Sequence, residues 1–276
     1  MKVVNPYISF SVEPPTIEWV TIEQAGNLGD TAHDGYGGVT VNYRISKFVI
    51  RESYIDDYNA DPANAGALQI TLDERGDDKP ATKISWNEAA RYVNWLNDIE
   101  GEQEAYKFDT GGANDNISVW DSADAWQIGG ENLYRHKDTK YFLPSEDEWY
   151  KAAYYNGQAN VYYNYPTGSD TAPVGTLGGT APGTAVYDDG IVSPTGPADV
   201  TNAGGLSPYE TMGQGGNTYE WNESALDGDN SLATESRARR GGSWDSTSTN
   251  LQSSYRNDNI PSGENDNRGF RVAAKV

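Results

Sequence analysis

RRGGSWDSTSTNLQSSYRNDNIPSGENDNRGFRVA, residues 239–273, is the stretch on which the fold turns. Its ends and its middle follow different rules. Gly269, Phe270, Arg271 and Val272 alternate apolar with other residues, the period of a half-buried strand. Arg240, Gly241, Gly242, Ser243 and Trp244 read as a second strand carrying a close-approach glycine pair. Between them, 16 of the 24 residues at 245–268 are Asp, Ser, Thr, Asn or Tyr. So polar a run between two strands predicts a long surface loop held at both ends by the core, the kind of loop that carries function. Trp244, Leu251, Phe270 and Val272 are the expected core anchors, each stabilising by about 1.5–3 kcal/mol when buried. Arg256 and Arg271 are expected to pin the loop through bidentate hydrogen bonds.

The chain has 276 residues, enough for a sizeable core. Apolar residues make up only 36%, yet there are 19 Tyr, 8 Trp and 5 Phe, so the core is expected to be aromatic. A net charge of −21 repels phosphate backbones and anionic membranes, which argues against nucleic acid and lipid as partners. Cysteine is absent, which excludes disulfides, thiolate metal sites and cysteine nucleophiles. The first six residues, MKVVNP, lack the apolar stretch of a secretory signal, and no apolar run approaches the roughly 18 residues of a membrane span.

Residues 7–12, 17–20 and 39–50 alternate as strands. A helix with Ser53 as its cap is expected over 53–59. Ser85 with Glu88, and Ser145 with Glu148, have the spacing of capping boxes and predict the two main helices, the second with acids crowding its first turn. Residues 101–139 read as an irregular insertion. Residues 156–210, with 10 Gly and 6 Pro, read as a long loop that packing, hydrogen bonds or an ion must pin. No P-loop, dinucleotide-binding glycine phrase or nucleophile elbow is present. The expectation is one α+β domain spanning 1–276.

Five phrases in fixed order carry a resemblance: YRISKFVI (43–50), PATKISWNEAARYVNWLN (80–97), FLPSEDEWYKAAYY (142–155), GQGGNTYEWNE (213–223) and RRGGSW…SSYRN…GFRVA (239–273). Together they resemble the formylglycine-generating-enzyme/sulfatase-modifying-factor family, over roughly residues 17–275. The resemblance implies a C-type-lectin-like fold with little regular structure. Its oxygen-dependent enzymes use two cysteines just after the GGS-aromatic phrase to bind copper, and here residues 243–251 hold no thiol. Hydroxyls do not replace thiolates at neutral pH, so that activity and its copper are not expected. Iron-using relatives take histidines from an additional helical domain. This chain has only His33 and His136, so iron is not expected either.

The resemblance also extends to the variable proteins of diversity-generating retroelements, in which a C-terminal region is rewritten at adenines, most often within asparagine codons. Changing the first two bases of AAC cannot reach Trp, Gln, Glu, Lys or Met. Within 245–268 only Gln252 and Glu264 fall outside the reachable set. Turn chemistry alone also favours Asn, Ser and Asp, so the alternatives are a static, non-diversified binding member of the family or an oxidase-related enzyme lacking the usual cysteines. On the diversified reading, residues 240–271 form the variable region, and Asp245, Ser246, Thr247, Thr249, Tyr255, Asn257, Asp258, Ile260 and Asp266 contact the ligand. Tyr255 is the expected hot spot. The partner would be a protein or cell-surface ligand, met from a virion or cell surface. The resemblance further implies calcium beside the Gly-Asn-x-x-Glu-Trp phrase, with Gly216, Thr218 and Glu220 at the matching positions. Gly213 supplies no side-chain oxygen there, and Asn217 and Glu220 bracing the loop by hydrogen bonds is the alternative.

Overall fold

Both capping boxes start helices. In the computed structural model, which describes residues 14–276, Ser85 Oγ accepts from Glu88 N at 3.1 Å while Glu88 Oε2 accepts from Ser85 N at 2.8 Å. Ser145 and Glu148 repeat the exchange at 3.2 and 2.6 Å. Three helices occur among the described residues: α1 (Glu52–Ala60), α2 (Trp86–Ile99) and α3 (Glu146–Tyr154). Ser53 is not the cap of α1. Arg51 takes that place without a side-chain bond, and the buried carboxylate of Glu52 turns inward to accept from the amides of Arg75 and Gly76. The strand expected at 7–12 lies outside the described residues.

The strands are short. In chain order they are β1 (Trp19–Ile22), β2 (Tyr43–Ser46), β3 (Ala125–Trp126), β4 (Asn132–His136), β5 (Tyr141–Phe142), β6 (Tyr155–Asn156) and β7 (Val161–Tyr162). There follow β8 (Val174–Gly175), β9 (Thr184–Ala185), β10 (Tyr219–Ala225), β11 (Arg237–Arg240), β12 (Asn257–Asn259), β13 (Arg268–Phe270) and β14 (Ala273–Lys275). One four-stranded sheet, β1-β2-β14-β5, draws the C-terminus back beside β2, with Ala273 opposite both Ile45 and Phe142. The other, β12-β11-β10-β13, is antiparallel except where β13 runs parallel to β10. Only Tyr43–Ser46 of the strand expected at 39–50 is regular. The 101–139 segment is no featureless insertion, since it contributes the β3–β4 hairpin.

Aromatic side chains fill the space that short elements leave. Trp86, on the first turn of α2, meets the ring of Tyr106 edge-on at 5.3 Å, and Tyr92 meets Phe270 at 5.6 Å. Such edge-to-face pairs contribute about 0.5–1.5 kcal/mol beyond the area they bury. Buried guanidinium groups are threaded through this core. Arg135 on β4 reaches Glu148 at 2.8 Å and Glu223 at 2.7 Å, stacked on the ring of Phe142 at 3.7 Å. Tyr106 Oη donates to the same Glu223 at 2.8 Å, and Asn132 donates to it as well. Burial pushes the Glu223 carboxyl above its ordinary pKa, against the opposing pull of Arg135. The Glu148 that caps α3 thus also ties that helix to the β4 hairpin. No described helix is long and apolar enough to cross a membrane.

Two stability measurements follow. Replacing Glu223 with Ala leaves Arg135 short of a carboxylate in the core, and urea denaturation should register a loss of about 3–5 kcal/mol. Glu88 is a second buried carboxyl, its pKa pushed up to about 7 chiefly by burial. The folded state therefore holds a proton that the unfolded chain releases near pH 4.5, so this group's contribution falls as pH rises from there through about 7. Glu88→Gln should shrink the decline in stability across that window by about 1–3 kcal/mol, read as the difference between wild-type and variant curves.

Candidate ligand-binding face

Both ends of the polar loop enter through constrained backbone. Gly241 has φ +95°, and a Cβ there would meet Gln214 O at 2.6 Å; Gly242 follows at φ +72°. From this double glycine the chain turns away from β11, and Phe270 and Val272, both fully buried, return it to the core.

Along its length the loop backbone is held from outside. Arg240 Nη1 donates to the carbonyls of Ser253 at 2.8 Å and Tyr255 at 2.9 Å, while its Nε donates to Glu146 at 2.7 Å. Arg256 closes on the same Glu146 bidentately at 2.7 and 2.6 Å. Leu251 is buried with Tyr165, Ala185 and Tyr187, and Tyr154 Oη donates to its carbonyl. Ser253 N donates to Asn164 O, and Asp188 N to Ser246 O. At the far end Asn87 N donates to Pro261 O and Lys83 N to Asn265 O. The glycine- and proline-rich segment 156–210 is therefore the floor beneath one half of the loop, and the start of α2 is the wall beside the other.

Of the nine expected contact residues, Asp245, Thr247, Thr249, Ile260 and Asp266 are exposed, and Tyr255, Asn257 and Asp258 are half-buried. Ser246 is a correction. It is buried, its Oγ accepts from Ser243 N at 3.0 Å, and it braces the turn. Trp244 is another, since it is half-buried over Arg75 rather than a core anchor. Tyr255, Asn257 and Ser246 gather around Tyr219 of β10. Asn257 accepts from Arg239 at 2.9 Å. Asp245 accepts from Asn267, and Asp266 pairs with Arg75 at 3.3 Å. Thr247 and Thr249 stand apart, at and within the short 3₁₀ turn Ser248–Leu251. Sequence reading missed Arg75, Tyr219, Arg239 and Arg268, which the topology brings to this face; the paired register Tyr219↔Arg268 and Trp221↔Arg239 places them there.

The residues matched to the calcium phrase do not fit an ion. Glu220 is fully buried, and its carboxylate accepts from Arg271 Nη2 at 2.7 Å and Trp149 Nε1 at 2.6 Å. Arg271 spends its other donors on the carbonyls of Ser46, Lys47 and Met212. A calcium ion would stand against a guanidinium already neutralising its only carboxylate. Asn217, at φ +63°, accepts from Ala198 N at 2.8 Å and returns a bond to Ala198 O. Gly216 sits where a Cβ would meet Val186 O at 2.2 Å. Asn217 and Glu220 brace the phrase by hydrogen bonds, and Thr218 Oγ1 is buried between them without a partner.

A C-type-lectin-like scaffold of the formylglycine-generating subtype, mixed in helix and strand with short elements, is what these features define. The chain belongs to the family described as sulfatase-modifying factor enzyme 1-like domains, whose model matches residues 35–276. Its fold is similar to that of Treponema denticola variable protein 1, at 19% identity and a TM-score of 0.63 over 94% of this chain and 95% of that one. It is likewise similar to CarF, at 18% identity and 0.65 over 95% and 99%. PvdO from Pseudomonas aeruginosa matches at 16% identity and 0.51 over 96% and 99%. No curated protein matches it in sequence.

The division between frame and face can be measured. Thr249→Tyr, Ile260→Ser and Asp266→Asn, each at an exposed side chain, should individually change stability by no more than about 0.5 kcal/mol. Arg256→Ala leaves half of the Glu146 clamp and should cost about 1–3 kcal/mol, with the midpoint of thermal unfolding as the readout. Calcium addition or chelation should leave that midpoint unchanged, because Arg271 already satisfies Glu220.

Proposed function

We propose that this chain is a non-catalytic binding protein. It recognises a protein or cell-surface ligand through the face carried by residues 240–271, and that face is diversified at asparagine-type codons in the manner of retroelement variable proteins. The observation that carries the reading is the anchoring pattern of the loop. Its backbone is fixed by Arg240, Tyr154, Asn164, Lys83 and Asn87, all outside the polar run. Substitution at Asp245, Thr249, Tyr255, Asp258, Ile260 or Asp266 changes what the surface offers without withdrawing a backbone support, and at Asn257 it withdraws only the local bond from Asp258 N.

The chemistry of the face agrees with this role. Tyr buries a large area with few torsions, and Asn, Ser and Thr adapt their hydrogen bonds to many partners. Cysteine is absent from the chain, so thiolate chemistry has no residue to perform it. The likeness in fold to a protein titled a variable protein supports the reading at the level of architecture. Display on a virion or cell surface is the setting that suits such a binder.

Two measurements test the proposal separately. Sequencing the flanking DNA should reveal a reverse-transcriptase gene and a near-copy of the 3′ region differing only at adenines; finding neither overturns diversification. A library randomised at the seven positions above should keep its thermal midpoint and yield binders to unrelated protein targets. Collapse of most library members would overturn the binding face itself.

A further inference from the structure

Resting on that reading, we infer that the centre of the face is an oxyanion-binding subsite, formed by the guanidinium groups of Arg239 and Arg268, which receives an acidic group of the ligand.

Arg239 lies on β11 directly opposite Trp221, and Arg268 on β13 directly opposite Tyr219, so β10 separates two cations by one strand. Arg239 lies over the rings of Tyr219 and Trp221 at 5.2 and 5.5 Å, and Arg268 over Trp221 at 6.0 Å. Neither forms an ion pair among the described residues. Of the other arginines buried nearby, Arg240 and Arg271 each hold a carboxylate at 2.7 Å or closer, while Arg237 is spent on the carbonyls of Ala233 and Glu235. Asp258 is close enough to be felt by Arg239, but Arg239 takes only the Asp258 carbonyl and the Asn257 side chain, both at 2.9 Å. Arg268 makes one long bond to Gly263 O at 3.2 Å.

Arg239 is only 6% exposed, and its Nε has no protein partner; the same holds for Arg268 Nε and for the indole Nε1 of Trp244. These are atoms that can only donate. Burial and the neighbouring Arg268 push the Arg239 pKa down to about 10, the direction expected of a cation lacking a counterion. In a chain of net charge −21, two adjacent guanidiniums with no carboxylate bonded to either are a local reversal of the overall sign. A planar guanidinium fork matches a carboxylate, phosphate or sulfate bidentately, and such bonds are the strong ones. Tyr255 and Asn257, from the variable stretch, border the pair, so the ligand's acidic group is received by frame residues while the diversified side chains read its surroundings.

The probes are a capped oligoglutamate peptide, its oligoglutamine counterpart and inorganic sulfate, titrated at fixed physiological ionic strength and followed by isothermal calorimetry. The glutamate peptide or sulfate should bind saturably and the glutamine peptide should not; the first two arms tell a carboxylate source from a sulfate or phosphate one. Arg268→Gln, on the less buried member, should weaken that binding at least about tenfold with the thermal midpoint retained. Arg239→Lys, which keeps the charge and loses the fork, should also weaken it. Absence of binding by either anion, or equal binding to wild type and Arg268→Gln, overturns the inference. A library that still yields binders in that event leaves the proposed function standing.

Discussion

The Arg271–Glu220 pair is the interaction on which this architecture depends. Glu220 sits on β10 and Arg271 on the link between β13 and β14, so the pair joins the two four-stranded sheets. Trp149 of α3 donates to the same carboxylate, and Arg271 reaches carbonyls at Ser46, Lys47 and Met212. Five separate segments therefore meet at one buried charge pair. A hydrophobic replacement of equal volume would fill the space and take a donor from the carbonyls of Ser46 and Met212, while Lys47 O would keep the amide of Met212. In a protein with few ladder hydrogen bonds that loss is costly, because an orphaned buried polar group costs about 1–3 kcal/mol.

The same device recurs wherever the chain leaves regular structure. Arg135 serves the hairpin that joins α3 to β10, Arg240 serves the polar loop, and Arg237 donates to the carbonyls of Ala233 and Glu235 while lying over Trp86 and Tyr134. A guanidinium offers five donors in a fixed plane, so one side chain can satisfy several irregular carbonyls and stack on an aromatic face at once. Four residues in a row on β11, Arg237–Arg240, are buried, with Arg and Ala in place of the usual branched aliphatics. The aromatic-rich, aliphatic-poor composition is the counterpart of that choice.

Much of this was legible in the sequence where local chemistry is self-contained. Ser85 with Glu88 and Ser145 with Glu148 carry their helix starts within four residues, and Gly269 and Phe270 carry the period of β13, whereas the strand expected at 240–244 ends at Arg240 because Gly241 and Gly242 turn the chain at positive φ. Arg271 is readable as a pin because an arginine between Phe270 and Val272 needs buried acceptors, and Arg256 because a guanidinium can gather the acceptors of an irregular loop. What escaped reading depends on partners far apart in the chain. Trp244 was taken for a core anchor because its environment is set by Arg75, well over a hundred positions earlier. The resemblance implies an ion ligand at Glu220, but its partner in the fold, Arg271, arrives 51 residues later. The hairpin at β3–β4 has no clear alternation, and Arg239 and Arg268 look like ordinary strand-end charges until β10 is placed between them. The face was therefore readable as a face, and its cationic centre was not.

The charges left outside the frame decide the character of the surface. Five arginines and Lys151 are buried, but so are seven acids, among them Glu146, Glu148, Glu220 and Glu223, so the exterior keeps the acidic balance of a chain with 20 basic residues against 41 acidic ones. An acidic exterior keeps the protein dispersed whatever aromatic or small polar side chains occupy the loop, because mutual repulsion does not depend on them. It also makes weak, non-specific capture of other acidic proteins unfavourable, so that an acidic ligand is held only where its group can reach the guanidiniums. Stability, solubility and recognition are thus assigned to different residues. The buried arginines and aromatics hold the fold, the outer carboxylates keep it in solution, and exposed loop positions such as Thr249 and Ile260 carry no side-chain bond that the fold needs.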